Sequence, residues 1–277
     1  MKLGYGTYGM RGLDVFEVLP RLREIGYEGI ELATGPDWTP PESFDAAARN
    51  RLRKLAQGLG FEAPVLMGGG DPCTWGTERK RVLDSLRRHC ELVRDLHYGD
   101  GPAVITSVLG GRQPEWEQGK KKIADSLLEF GETVKEYGVV YAVEPHVGGA
   151  LDTPEKAAWL IAEIDHPNVR LNFDISHFDV QGYDLRKAVE TCAPLAVHTH
   201  VKDGYIDDTG LHFQLPGEGD FDYVTYMQAM DAAGFDGVIC VEVSGMVWSA
   251  HDYDPWQAAE FCYATLSDAL TVSGVND

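Results

Sequence analysis

Four short stretches in the second half of the chain set acids and imidazoles at alternate positions: "VEPH" from Val143, "NFDISH" from Asn172, "HTHVKD" from His198 and "VEVSG" from Val241. In a β-strand, side chains alternate between two faces. Glu144 and His146 then share one face, as do Asn172, Asp174 and Ser176, with His177 following in the next loop. His198, His200 and Lys202 share another, and Cys240, Glu242 and Ser244 a fourth. The opposite faces carry Val143, Phe173, Val197, Val201, Val241 and Val243, which suit packing against helices. Three carboxylates and a histidine gathered in one interior are costly unless a cation joins them. Glu144, Asp174, His200 and Glu242 form an oxygen-rich set with one nitrogen. That set suits one divalent ion, Mn²⁺, Mg²⁺, Co²⁺ or Zn²⁺, and leaves positions open for a chelating substrate.

Each residue also has an ordinary reading. Glu144 before Pro145 could be a strand-end charge facing water, Asp174 a cap for the next turn, and Lys202 a surface lysine at the rim. His198 lies one layer deeper than His200 and reads as a hydrogen-bonded core histidine. The ordinary reading must hold on four consecutive strands at once, whereas a single metal explains all four.

Those strands need a scaffold that brings their ends together. Short β-branched runs alternate with helical patterns along the whole chain. The strand candidates are "KLGYGTYG", "GIELAT", "EAPVLMG", "AVITSVLG", "VVYAVEPH", "VRLNFDISH", "LAVHTHVKD" and "GVICVEVSG". Between them, helices are signalled by Asp14 as an N-cap with Gly26 as a stop, by Ser43 as a cap with Gly60 as a stop, and by Thr153 followed by Pro154. Pro20 falls within the first helical pattern and is a candidate kink. Eight βα units in one domain spanning 1–277 predict an α/β fold, a closed (β/α)₈ TIM barrel. The competing doubly wound sheet would want a Gly-rich turn after the first strand, and the glycines of "GYGTYGMRG" are misplaced for it. In a barrel the active site lies at the carboxyl ends of the strands, where the acids and histidines cluster.

The chain of 277 residues has 44 acidic against 24 basic residues, a formal charge of −20, which repels nucleic acid and anionic lipid. No apolar run approaches the roughly 20 residues of a membrane helix, and no signal-peptide pattern opens the sequence. Five dispersed cysteines without CxxC spacing read as reduced thiols of a cytoplasmic protein.

Taken in order, "VEPH", "NFDISH", "HTHVKD", "PGEGDFDY" and "VEVSG" resemble the xylose-isomerase-like TIM barrel superfamily of sugar isomerases, epimerases and dehydratases. The resemblance covers essentially the whole chain. It implies that Glu144, Asp174, His200 and Glu242 bind one divalent metal and that His177 contacts substrate. The implied activity is isomerisation or epimerisation of a ketose or keto-sugar by α-proton abstraction, through an enediolate that the metal stabilises. Glu144 and Glu242 would exchange the proton from opposite sides, with His146, His177 and Lys202 serving the substrate oxygens. Trp75 and Trp248, in the loops after the third and eighth strands, are candidate sugar-stacking walls. The long connection from Gly204 to Asp220 is a candidate lid. Glu218, Asp220 and Asp222 beside "PGEG" disfavour a phosphate there.

The pattern also departs from one branch of the family. Ketohexose 3-epimerases carry a second Glu and an Arg where this chain has Ala150 and Ile206. The alternative is a lyase on a keto-sugar, resembling inosose dehydratases or the barrel subunits of C-glycoside deglycosidases that act on 3-keto-glycosides. The expected assembly is a homo-oligomer, or a hetero-oligomer with a small subunit in the deglycosidase case. An apurinic endonuclease of the same barrel type would need histidines that "GIELAT" and "EAPVLMG" lack.

Overall fold

The buried β-branched runs pair edge to edge into a closed parallel barrel. The computed structural model describes residues 1–275, and its barrel strands are β1 (Lys2–Gly6), β2 (Gly29–Ala33), β3 (Val65–Met67), β4 (Ala103–Val108), β5 (Val139–Glu144), β6 (Val169–Asp174) and β7 (Ala196–Val201). A hairpin, β8 (Asp203–Asp207) and β9 (Gly210–Gln214), follows, and β10 (Val238–Val241) completes the barrel. Around it the strands run β1–β10–β7–β6–β5–β4–β3–β2. Residues that point outward from the barrel, such as Val143, Phe173, Val201 and Val241, are buried beneath the helices, as the alternation predicts.

The helices are α1 (Val15–Ile25), α2 (Ala46–Leu59), α3 (Arg79–Leu96), α4 (Trp116–Lys135), α5 (Pro154–Ile164), α6 (Ser176–Asp179), α7 (Leu185–Cys192), α8 (Tyr223–Ala232), α9 (Gly245–Trp248) and α10 (Pro255–Ser273). Asp14 caps α1 by accepting from Phe16 N, and Thr153 caps α5 by accepting from Lys156 N. Such a cap contributes about 1 kcal/mol. The expected Ser43 cap is corrected: Asp45 caps α2 through Ala48 N, because residues Pro41–Ser43 form a separate 3₁₀ turn and Phe44 is extended. The helix α1 runs on through Pro20.

All eight barrel strands stop earlier than the sequence pattern suggests, and Ser176 and His177 lie in α6, beyond β6. Thr7–Gly9 forms a 3₁₀ turn beyond β1, and Glu242 lies just past β10, though its N–H still donates to Val201 O. The segment anticipated as a lid folds largely as the β8–β9 hairpin. Buried Asp203 ties its return to the barrel by accepting from Gly217 N at 2.8 Å, Gly219 N at 2.7 Å and the Tyr223 hydroxyl at 2.8 Å. Among the described residues no helix is long and apolar enough to cross a membrane.

Candidate metal centre

Register levels the key side chains. Asp174 on β6 stands beside His200 on β7, and His200 stands beside Cys240 on β10. Glu144 ends β5, Asp174 ends β6, and Glu242 follows β10. One ligand atom from each of Glu144, Asp174, His200 and Glu242 lies within 4.8 Å of all the others. The structure therefore brings together the four residues that strand parity selected.

The contacts within the cluster are dense. His200 Nδ1 is 3.0 Å from Glu144 Oε2 and 3.9 Å from Glu242 Oε2. Asn172 Nδ2 donates to Glu144 Oε2 at 2.7 Å and lies 3.1 Å from His200 Nδ1. Asp174 Oδ1 accepts from Ser176 N at 3.0 Å and from the Ser176 hydroxyl. His177 Nε2 stands 3.2 Å from Glu144 Oε1 and 3.4 Å from Asp174 Oδ2. The ammonium of Lys202 donates to Asp174 Oδ2 and, at 2.5 Å, to Glu242 Oε2. Lys202 is only 2% exposed, so it belongs to the cluster and is not a solvated rim lysine.

Burial opposes charge at Glu144, Asp174, Lys202 and His200, and neighbours overrule it. For Glu144, burial pushes the pKa up, but hydrogen bonds from His177 and His200 hold it well below the usual carboxylate range. For Asp174, burial is outweighed by the Lys202 ammonium and His177, and the net direction is down. For Lys202, desolvation is outweighed by Asp174, Glu242 and Glu144, which raise it. For His200, desolvation is outweighed by Glu31 and Glu144, which hold it well above the ordinary imidazole range. At His198 burial outweighs the pull of Glu31 and Glu144 and pushes the pKa down to about 4. Its Nε2 lies 3.5 Å from Glu31 Oε1 without a hydrogen bond, so the expected core histidine is buried but not fully satisfied.

The donor set fits a divalent cation. Four buried or nearly buried carboxylates, Glu31 included, meet here. With Lys202 and His200 both charged, two negative charges still lack a partner. Asn172 Oδ1 and His177 Nδ1 are also buried without hydrogen bonds. One metal among Glu144, Asp174, His200 and Glu242 would relieve the first imbalance, which is the condition for burying so many acids.

Above the cluster opens a cavity of about 420 Å³. Glu144, His146, Lys202 and Glu242 line its polar side, and Tyr8, Phe213 and Met246 contribute its apolar walls. Among the described residues His146 has no hydrogen bond to a carboxylate: its Nδ1 lies 2.7 Å from Val147 O, and its ring lies 3.9 Å from that of His177. The two tryptophans are placed differently from the rest. Trp75 packs under the ammonium of Lys122 at 3.8 Å and is not among the residues lining the cavity. Trp248 stands behind the wall, edge-on to Tyr8 at 5.5 Å and to Trp38 at 5.9 Å.

Residue-type reasoning overlooked Glu31, Tyr8 and Phe213. Glu31 was signalled only as a lone acid inside the apolar run "GIELA", every residue of which is buried. Tyr8 and Phe213 come from a 3₁₀ turn and a hairpin that no periodicity marks.

Comparison with known proteins agrees with this architecture. An inosose dehydratase of Lactiplantibacillus plantarum is 28% identical over 271 residues, spanning 87% of this chain and 88% of that protein. The uncharacterized protein MJ1311 of Methanocaldococcus jannaschii is 30% identical over 177 residues, and that match spans 59% of this chain and little more than half, 57%, of the relative. Among solved structures, the IOLI protein with a bound zinc atom superposes with a TM-score of 0.80 at 20% identity, over 98% of this chain and 99% of that one. The family model for the xylose isomerase-like TIM barrel matches residues 19–261, and the chain belongs to that family.

Proposed function

We propose that the protein is a divalent-metal-dependent isomerase or epimerase of a neutral ketose or keto-sugar. The observation that carries this reading is the pairing of Glu144 and Glu242. They come from β5 and from just past β10, with β6 and β7 between them, and both line the same cavity above His200. A carboxylate on each side can take a proton from the carbon next to a ketone and return one to either face. The electron pair of the broken C–H bond moves onto the carbonyl oxygen and comes back when the carbon is reprotonated. Lys202 and His146 reach the cavity wall, where an N–H can hold or deliver a proton at a substrate oxygen. A metal held by Glu144, Asp174, His200 and Glu242 would supply Lewis-acid stabilisation of developing oxygen charge. We assign Mn²⁺ on the oxygen-rich donor set; a zinc-bound relative of the same fold keeps Zn²⁺ as the competitor.

The lining argues for an uncharged substrate. Lys202 is the cation at the cavity wall, and two carboxylates already occupy it. A sugar phosphate would find no free positive charge among the lining residues. Tyr8 and Phe213 offer ring faces for a sugar, whereas Trp75 and Trp248 stand outside the cavity lining. His177 would hold Glu144 and Asp174 in place more than touch substrate. We place the protein in the cytoplasm, in keeping with five buried free cysteines, with no nucleic-acid or membrane partner at a charge of −20.

A lyase reading is supported by the resemblance to an inosose dehydratase over most of both chains. Lys202 and His146 could then protonate a leaving oxygen. Incubating the manganese-loaded enzyme with an inosose and with 3-keto-glucosides in deuterated water separates the two. Label at the α-carbon without loss of water or aglycone supports isomerisation, and elimination supports the lyase. No exchange and no elimination on any keto-sugar would overturn both.

A further inference from the structure

Glu31 takes no part in the proton transfers above, yet it sits in the most protected layer of the barrel. It lies mid-β2, is 0% exposed, and does not line the cavity. Its two oxygens have separate partners. Oε1 accepts from the Thr106 hydroxyl of β4 at 2.6 Å, and Oε2 lies 2.8 Å from His200 Nε2. Gly6 of β1 flanks it closely: a Cβ there would lie 3.4 Å from Oε2 and 3.2 Å from Val241 O. The carboxylate is thus held in place by three strands.

This arrangement keeps a hydrogen on one nitrogen of His200. A carboxylate accepts and does not donate, so His200 Nε2 must be the N–H that Glu31 binds. The opposite nitrogen, Nδ1, faces Glu144 Oε2 at 3.0 Å, Asn172 and Glu242, so its hydrogen points at the ligand cluster and is the one a metal would replace. A ligating imidazole is oriented, and its tautomer fixed, by a partner on its other nitrogen. His198 does not compete for that role, since its Nε2 is 3.5 Å from Glu31 and makes no hydrogen bond.

We infer that Glu31 is a positioning residue that fixes His200 as the Nε2–H tautomer and turns Nδ1 toward the metal, with Thr106 bracing Glu31 from β4. The inference rests on the proposed metal-dependent function and predicts a property that function alone does not require.

The test is Mn²⁺ titration of chelator-treated protein by calorimetry, for the wild type, Glu31→Gln and Glu31→Ala. Glu31→Ala should raise the metal Kd about 10–100-fold. Glu31→Gln keeps an acceptor oxygen and the side-chain volume, and should raise it less. Long-range ¹H–¹⁵N spectra of the zinc-loaded wild type should show His200 protonated at Nε2, and Glu31→Ala should lose that single form. A purely structural role would lower the Tm of folded variants and leave Kd unchanged. Unchanged Kd in a folded Glu31→Ala protein overturns the inference, as does a His200 protonated at Nδ1 in the zinc-loaded wild type. Two metals per chain with Glu31 as a direct ligand also overturn it. A wild type that binds no Mn²⁺ or Zn²⁺ overturns the metal-dependent function along with it, which separates the two failures.

Discussion

Lys202→Met removes the ammonium that bridges Asp174 and Glu242 and keeps a side chain of similar length. The cost can be worked from the site. A unit charge pair about 4 Å apart is worth about 4 kcal/mol at an effective dielectric of about 20, and Lys202 makes two pairs at least that close. Against them stands the desolvation of the ammonium, several kcal/mol for a buried ion. The difference agrees with the roughly 3–5 kcal/mol measured when one partner of a buried pair is removed. At about 2–4 °C per kcal/mol for a chain of this size, the variant should melt about 6–20 °C below the wild type in chelator. Metal should recover more stability in the variant than in the wild type, because a divalent ion neutralises the same carboxylates. At 100 times Kd, binding alone contributes about 2.7 kcal/mol. Scanning calorimetry of both proteins, with chelator and with saturating Mn²⁺, reads all four states. Equal Tm in chelator, or an equal gain from metal in both proteins, would refute the view that Lys202 and the metal answer the same excess of negative charge.

Other consequences follow from single contacts. Glu242→Gln keeps the shape of the side chain but cannot take a proton, so solvent deuterium exchange into a keto-sugar should fall by about 10²–10⁴; exchange at the wild-type rate contradicts its role as a base. Tyr8→Ala removes a cavity wall and should raise KM about 2–10-fold, the worth of about 0.5–1.5 kcal/mol of ring contact. Trp75→Ala, off the cavity, should leave KM within about twofold, and steady-state kinetics on both variants tests the placement. His89 is buried, with Nδ1 2.8 Å from Ser85 O and Nε2 2.8 Å from Thr34 Oγ1, and burial pushes its pKa down. The unfolded chain takes up that proton near the ordinary value of about 6.5, so stability should fall as pH drops below about 6.5. Tm measured at pH 7.5 and at about 5.5 should show a smaller loss in His89→Gln, and an equal loss would assign the acid sensitivity elsewhere.

Periodicity revealed the barrel and the half of the site that lies on its strands. Glu144, Asp174 and His200 sit at strand ends, so a period of two and an apolar opposite face were enough to aim them inward. Glu242 was found by the same parity even though β10 stops one residue before it. Parity cannot report depth or partners. It left Lys202 divided between rim and pocket, and only its contacts with Asp174 and Glu242 decide the matter. It could not link Glu31 to His200 either, since their contact spans 169 positions. The walls were legible least of all. Tyr8, Phe213 and Met246 owe their places to a 3₁₀ turn, a hairpin and a four-residue helix, whose paths depend on tertiary contacts and not on a repeating pattern.

The central claim is that four side chains from β5, β6, β7 and the end of β10 hold one catalytic metal. Anomalous diffraction at the manganese edge, from crystals grown with Mn²⁺ and without chelator, addresses it directly. One strong peak per chain is expected, in contact with Glu144, Asp174, His200 Nδ1 and Glu242. No peak in the barrel, or a peak held instead by Glu144, His146 and His177, would contradict it.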